Sequence, residues 1–454
     1  MKRHSYEIDM INGPIFKNMI LFVIPLILGN LLQLLYNAAD LIVVSRWAGS
    51  SAMASVGATG SLSTVIINGC IGISIGASVL VSRRFGARDF EGLHKAVHTS
   101  MLLSVIVGCI SAFVGITFAK TLLVLMATPE GEVLDGAVLY MRIYFAGIPA
   151  AMVYNFGAAI LRAVGDTKRP LYILAASGLV NVVLNLILVI GFHMGVEGVA
   201  IATAVSNYLS AAVVVAILMR SEGAYRLNAK KIRLYKNDVS EIFKVGLPAG
   251  LQSMLFALAN TVIQSSVNSF GKAAIAGNAA GANIEGFVYT AMNAFYQATL
   301  TLVGQNYGAK NESRIKKSIY TTMSSVTVVG LVLGVSTVVF AKPLLGIYIT
   351  DSAEAIEYGV VRIIYTGLPY FLCGIMECFS GLLRGLGYST HGAVNSLIGA
   401  CGFRMLWVKF VLPLHRTTET LFLCWPLSWV VVIVMHLTVY LFVRKKAFAK
   451  MHEA

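Results

Sequence analysis

Residues 161–167 read Leu161-Arg162-Ala163-Val164-Gly165-Asp166-Thr167, and 222 positions later residues 383–389 read Leu383-Arg384-Gly385-Leu386-Gly387-Tyr388-Ser389. Three more likenesses follow in the same order. Pro25 pairs with Pro248, Phe85-Gly86-Ala87-Arg88 with Tyr307-Gly308-Ala309-Lys310, and Gly147-Ile148-Pro149 with Gly367-Leu368-Pro369. Landmarks kept in register over half a chain mark an internal duplication. Each copy carries six long apolar segments, at about 15–40, 52–81, 96–118, 136–160, 170–192 and 197–219, then at about 245–268, 275–303, 318–341, 359–383, 393–413 and 420–443. Some 20 apolar residues cross the hydrocarbon core of a bilayer as a helix, and the alternation that marks barrel strands is absent. The expected fold is an all-α integral membrane protein with twelve transmembrane helices in two six-helix repeats. Six crossings return the chain to its starting side, so the repeats are expected to be parallel. They would face each other around a central cleft that opens to either side by rocking.

Composition agrees. The 454 residues are 57% hydrophobic and 12% charged, about half the charge of a soluble chain, and mean hydropathy is +0.77. A water-soluble enzyme, a disordered chain and a disulfide scaffold are excluded. The first segment is too long for a signal-peptide core and carries Asn30, Gln33, Asn37 and Asp40, so it reads as a retained helix. On the side that holds both termini we count 26 of the 35 Lys and Arg residues, which places the termini in the cytoplasm of a multi-pass cell-membrane protein. The net charge of +14 then reflects basic loops at an anionic inner leaflet, and no nucleic-acid partner is implied. Residues 1–220 are expected to form the first lobe, the basic stretch 221–244 a cytoplasmic linker, and 245–454 the second lobe. Gly72 and Gly76, Gly277 and Gly281, and Gly330 and Gly334 read as helix-packing pairs.

The six cysteines all lie in apolar segments without a C-x-x-C pair, and the eight histidines lack metal-ligand spacing. No Walker A loop, H-E-x-x-H or G-x-S-x-G is present. The chain is read as neither an enzyme nor an ATP-driven pump, and no cofactor is expected.

Pro25 with Asp40 on the first helix, the Phe-Gly-Ala-Arg and Gln-Asn-Tyr-Gly-Ala-Lys loops at 85 and 305, and the Leu-Arg-x-x-Gly-Asp-Thr-Lys-x-Pro run at 161–170 together resemble the multidrug and toxic compound extrusion (MATE) family, across essentially the whole chain. The resemblance implies twelve helices in two lobes. It also implies export of small organic cations or amphipathic drugs in exchange for inward Na+ or H+, by a chain expected to be a monomer in membrane lipid.

Setting aside Glu197 at the very start of the sixth, three acidic residues fall within apolar segments: Asp40, Glu285 and Glu377. A carboxylate in lipid is costly, and such positions read as functional. Gln33, Tyr36, Asn37 and Asp40 share one stripe of the first helix, where Pro25 and Gly29 permit a kink. The competing reading of Asp40 is a helix-end residue at the outer interface, ahead of Trp47. On the fifth helix Ser177, Asn181 and Asn185 recur every four residues, and Thr203, Asn207 and Ser210 line the sixth. Asp40, Asn181, Asn185 and Thr203 offer one charged and three neutral oxygen ligands, a candidate cation-coupling site able to hold Na+. In better-known MATE members the position matching Asn185 is often aspartate, and that departure leaves Na+ and H+ both open. The competing role for the asparagines is interhelical hydrogen bonding.

The second half has no acid opposite Asp40, so coupling is expected in the first lobe. Glu285, Tyr289 and Asn293 share a face of the eighth helix, and Glu377 matches Asn155 of the first half. With Tyr36 and Asn37, these residues are the candidate substrate cavity. The competing reading of both glutamates is an internal ion pair, with Arg404 as the obvious partner. The nearest rival function is a lipid-linked saccharide flippase of the same superfamily, which calls for a basic cavity, whereas the apolar segments here hold acids and few bases.

Overall fold

The computed structural model describes residues 6–126, 128–350 and 352–453, so Lys2 and Arg3 of the basic-residue count lie outside the described residues. Among them the chain is helical throughout, without strands. Among the described residues nine helices are long and apolar enough to cross a membrane. In chain order we label α1 (Ile15–Ala48), α2 (Ser51–Gly86), α3 (Phe90–Thr117), α4 (Glu132–Ala146), α5 (Ile148–Ala163), α6 (Lys168–Gly191) and α7 (Val196–Arg220). The second series is α8 (Lys236–Asn268), α9 (Lys272–Gly308), α10 (Glu312–Val339), α11 (Ala353–Gly367), α12 (Tyr370–Gly385), α13 (Ser389–Val411) and α14 (Thr418–His452). The pairs α4–α5 and α11–α12 each qualify as one span bent by 44° and 41°. Both bends fall at the repeated Gly-x-Pro, where proline withholds a backbone donor.

Against an expectation of twelve spans, length and apolarity therefore give up to eleven among the described residues. The remaining long helix is α9, 37 residues, whose polar side chains lower its hydropathy. Most of that helix is buried, Asn278, Glu285, Tyr296, Gln305 and Asn306 included, so its neighbours are protein groups. By contrast α1 runs unbroken through Pro25.

The chain forms two compact units. One comprises Leu28–Gly250 with the described residues up to Ile8, the other Asp9–Ile27 with Leu251 onward, so α1 is shared between them. In the first unit Phe156, Ile160, Leu161, Val214 and Leu218 form the centre of the core. Tight backbone approaches occur where the glycine pairs were read. A Cβ on Gly72 would lie 2.2 Å from the backbone of Gly250, and one on Gly76 2.1 Å from the carbonyl of Ile242. In the second unit Gly277 abuts the carbonyl of Ala355, and Gly330 the backbone of Phe371. The stretch after α7 packs on the first unit, where Asn228 N–H donates to His98 Nε2 (2.9 Å) and Tyr235 N–H to Thr99 Oγ1 (3.3 Å).

The duplication extends to backbone geometry. Arg88 and Lys310 both have φ of 56°, and Gly165 and Gly387 have φ of 96° and 86°. Asp89 and Asn311 cap α3 and α10, accepting from Gly92 N–H at 2.9 Å and Arg314 N–H at 3.0 Å. Next to Gly165, Asp166 is fully buried. Its Oδ1 accepts from the N–H groups of Lys168 and Arg169 (both 3.1 Å), and Arg169 Nε lies 3.2 Å from Oδ2. Burial pushes the Asp166 carboxyl from its ordinary 3.8 up to about 6, with those N–H groups and Arg169 opposing the rise. A raised folded-state value means that this group favours the folded state below pH 4 and loses that contribution as pH climbs through 6. Asp166→Asn keeps the Oδ1 acceptor and removes the titration. Relative to wild type, the variant should therefore gain about 2–3 kcal/mol of stability between pH 4 and 7. Melting temperatures in detergent across that range measure the difference; a constant offset contradicts it.

Candidate functional site

The first unit holds a polar cluster where α1, α6 and α7 meet. Tyr36 lies flat on Gly178, where a Cβ would come within 1.8 Å of the ring, and its hydroxyl donates to the carbonyl of Ala175 at 3.2 Å. One turn on, Asp40 Oδ1 accepts from Asn185 Nδ2. That amide nitrogen also reaches Asn181 Oδ1 (3.4 Å), and Asn181 Nδ2 reaches Thr203 Oγ1 (3.5 Å). The four residues expected at a cation site thus form one continuous chain of contacts. Its last two links are long for hydrogen bonds and easily re-dealt.

Asn185 is 1% exposed, and its side-chain oxygen is buried without a hydrogen-bond partner among the described residues. An orphaned acceptor of that kind costs about 1–3 kcal/mol unless something donates or coordinates to it. Together with Asp40, Asn181 and Thr203 it completes an all-oxygen donor set suited to a hard monovalent cation or a proton. Both helices carrying the key pair change pitch close by, into π turns at Val44–Ala48 and Leu186–Gly191. Such turns recur at functional sites. Tyr140 and Tyr144, stacked 5.7 Å apart on α4, lie within electrostatic reach of Asp40. Two tyrosines four residues apart carry no signal of their own in the sequence.

Other members of the stripes stand apart. Gln33 and Asn37 are exposed, Asn155 bonds back to Ala151 (2.9 Å), and Ser177 and Ser210 bond back to their own helices.

In the second unit, a cavity of about 320 Å³ opens beside Glu285, Tyr289, Arg362, Tyr370 and Trp425. Glu285 is gripped in a bidentate pair, with Arg362 Nε donating to Oε1 (3.1 Å) and Nη2 to Oε2 (2.7 Å); the Thr366 hydroxyl donates to Oε1 as well. The third nitrogen of Arg362 donates to Asn278 Oδ1, and Asn278 Nδ2 to Gln264 Oε1 at 3.0 Å. Gly281 leaves room for the arginine stem.

This corrects the expected partner. Arg404 instead donates to Ser428 Oγ (2.9 Å) and lies over the Trp425 ring. The reading of few bases in apolar segments also needs amending, because Arg362, Arg384 and Arg404 are all buried in the second unit. Arg362 precedes the Gly367-Pro369 bend, and its i, i+4 relation to Thr366 was the available signal. Tyr289 is hydrogen-bonded to Asn293 and lies near Glu377. Glu377 is half-buried, and Arg384 is the base whose charge acts on it.

With fold and clusters in place, comparison with known proteins gives the class. The MatE family model matches residues 25–187 and again 248–407, each match starting at one of the paired prolines. The chain therefore belongs to the MATE family of multi-pass membrane transporters. It is 28% identical over 442 residues, 95% of either chain, to the probable multidrug resistance protein YoeA of Bacillus subtilis. To the multidrug export protein MepA of Staphylococcus aureus it is 24% identical over 386 residues, 85% of each. Among solved structures, an outward-facing multidrug resistance MATE transporter of the MOP superfamily superposes with a TM-score of 0.88 at 22% identity over 100% of both chains. A MOP superfamily transporter from Pyrococcus furiosus gives 0.89 at 21%, again over 100% of both.

The Tyr36–Gly178 contact is open to test. Gly178→Ala must displace the ring and should cost about 1–3 kcal/mol of stability as overpacking. Tyr36→Ala in the same chain should recover most of that loss, a coupling that denaturation of the two single variants and the double variant measures. Additive effects would show that the ring does not rest there.

Proposed function

We propose that this protein is a secondary active multidrug efflux antiporter, which exports cationic or amphipathic organic compounds while Na+ or H+ moves inward through the Asp40 cluster. The observation that carries the reading is the buried, unpartnered oxygen of Asn185 beside the Asp40 carboxylate. A cation entering the cluster satisfies that oxygen and neutralises the acid together. The names of the relatives, multidrug resistance and multidrug export, support export as the direction and drugs as the cargo.

In this scheme the outward-open protein takes the ion at Asp40, and α1 bends about Pro25 as the charge is cancelled. The drug leaves, and the ion is released to the cytoplasm, where both termini lie. One charge crossing 100 mV yields about 2.3 kcal/mol, enough for a roughly fifty-fold gradient of a neutral drug exchanged for one ion. A flippase would need free bases facing its substrate. Here Arg362 is held by Glu285 and Asn278, and Arg384 by Tyr296 and Gln252.

The test is ion-gradient-driven ethidium transport in everted vesicles. Asp40→Asn should abolish it at unchanged expression, under both a proton and a sodium gradient. Undiminished transport removes Asp40 from coupling.

A further inference from the structure

In the first unit, the turn from α2 to α3 and the start of α8 surround a cavity of about 400 Å³, at the end where those three helices leave their apolar stretches. Arg84, Asp89, Lys95, Tyr235, Lys236 and Asp238 line it. Two of the acids nearby are matched: Arg84 Nη1 donates to Asp89 Oδ2 at 2.7 Å, and Lys95 Nζ, which lies over the Tyr235 ring, donates to Glu91 Oε1 at 2.6 Å. Asp238 is not. It is 4% exposed, its Oδ1 stands 3.8 Å from Arg84 Nη2, outside hydrogen-bond range, and its Oδ2 is buried without a hydrogen-bond partner among the described residues. The charge of Glu241 also acts on Arg84, so one guanidinium serves three carboxylates. Lys236 is no substitute, because side chains two apart on a helix do not face each other, and its ammonium stands exposed beside the cavity. The cavity therefore offers a buried carboxylate oxygen in want of a donor and, next to it, a base open to solvent. A charged N–H group is the strongest partner for such an oxygen. Around the same turn Phe90, Ile232 and Leu234 are exposed apolar side chains, which suits the boundary between headgroups and hydrocarbon.

We propose that this cavity is a headgroup site for a phospholipid ending in a primary ammonium, phosphatidylethanolamine, whose ammonium donates to Asp238 Oδ2 while its phosphate faces Lys236. A choline headgroup has the same charges but no N–H, so it leaves Asp238 unsatisfied. The acyl chains run past Phe90, Ile232 and Leu234. Neither the site nor its test depends on the exporter reading.

The experiment titrates the delipidated full-length protein in detergent with four lipids of identical acyl chains, and native mass spectrometry reads the affinity of the first bound copy. The lipids are phosphatidylethanolamine, its N-methyl and N,N-dimethyl forms, and phosphatidylcholine. All four are zwitterions, so the basic surface elsewhere treats them alike, while the number of N–H donors falls from three to none. Phosphatidylethanolamine should bind at least tenfold tighter than phosphatidylcholine, with the two intermediates in order between them. Asp238→Asn removes the charge at constant shape and should bring the ends of the series within threefold of each other. If that variant does not fold, the wild-type series decides alone. Soluble glycerophosphoethanolamine, which lacks the chains, should fail to displace the bound lipid at equal concentration. Three results would overturn the assignment: a flat series on wild type, a preference that survives Asp238→Asn, or displacement by the soluble headgroup, which would make this a site for a free zwitterion.

Discussion

A carboxylate inside an apolar helical bundle has to be matched within hydrogen-bond reach, and the two units of this protein meet that constraint in opposite ways. Asp40 is matched by an amide, which donates one hydrogen bond and adds no charge. Glu285 is matched by a guanidinium in a bidentate grip, backed by a threonine and an asparagine. Losing one member of such a buried pair typically costs 3–5 kcal/mol, because the other is left charged and unpaired. The first arrangement is therefore incomplete and adjustable, the second complete and fixed. Although the units are copies of one ancestral pattern, the structure gives them different electrostatic characters: the acceptor of Asn185 beside Asp40 is unsatisfied among the described residues, whereas both oxygens of Glu285 are bonded.

The duplication was legible because turns impose residue choices more strictly than membrane helices do. Gly165 and Gly387 sit at positive φ, where a side chain is disfavoured, and the carbonyl of Ile8 occupies the space a Cβ on Gly165 would need. The Asp40 cluster was legible too, since Asn181 and Asn185 are one turn apart on a helix and Thr203 is only 18 residues further on. Arg362 was not. It meets Glu285 across 77 positions, and choosing between it and Arg404 depends on how the bend at Gly367-Pro369 aims the preceding helix. No periodicity in a single sequence encodes that angle.

Apolarity identifies segments that face lipid, and α9 faces protein along most of its length, so it falls short on hydropathy although its segment, about 275–303, stands among the twelve expected.

That burial has a consequence for how the chain is made. A segment that carries Asn278, Glu285, Asn293 and Gln305 partitions poorly into hydrocarbon by itself, so the translocation machinery has little reason to release it sideways alone. Its polar groups find partners on α11 and α12, through Arg362 and Arg384, so its stable entry depends on helices that are made later. For this half of the protein, insertion and tertiary assembly are then a single event.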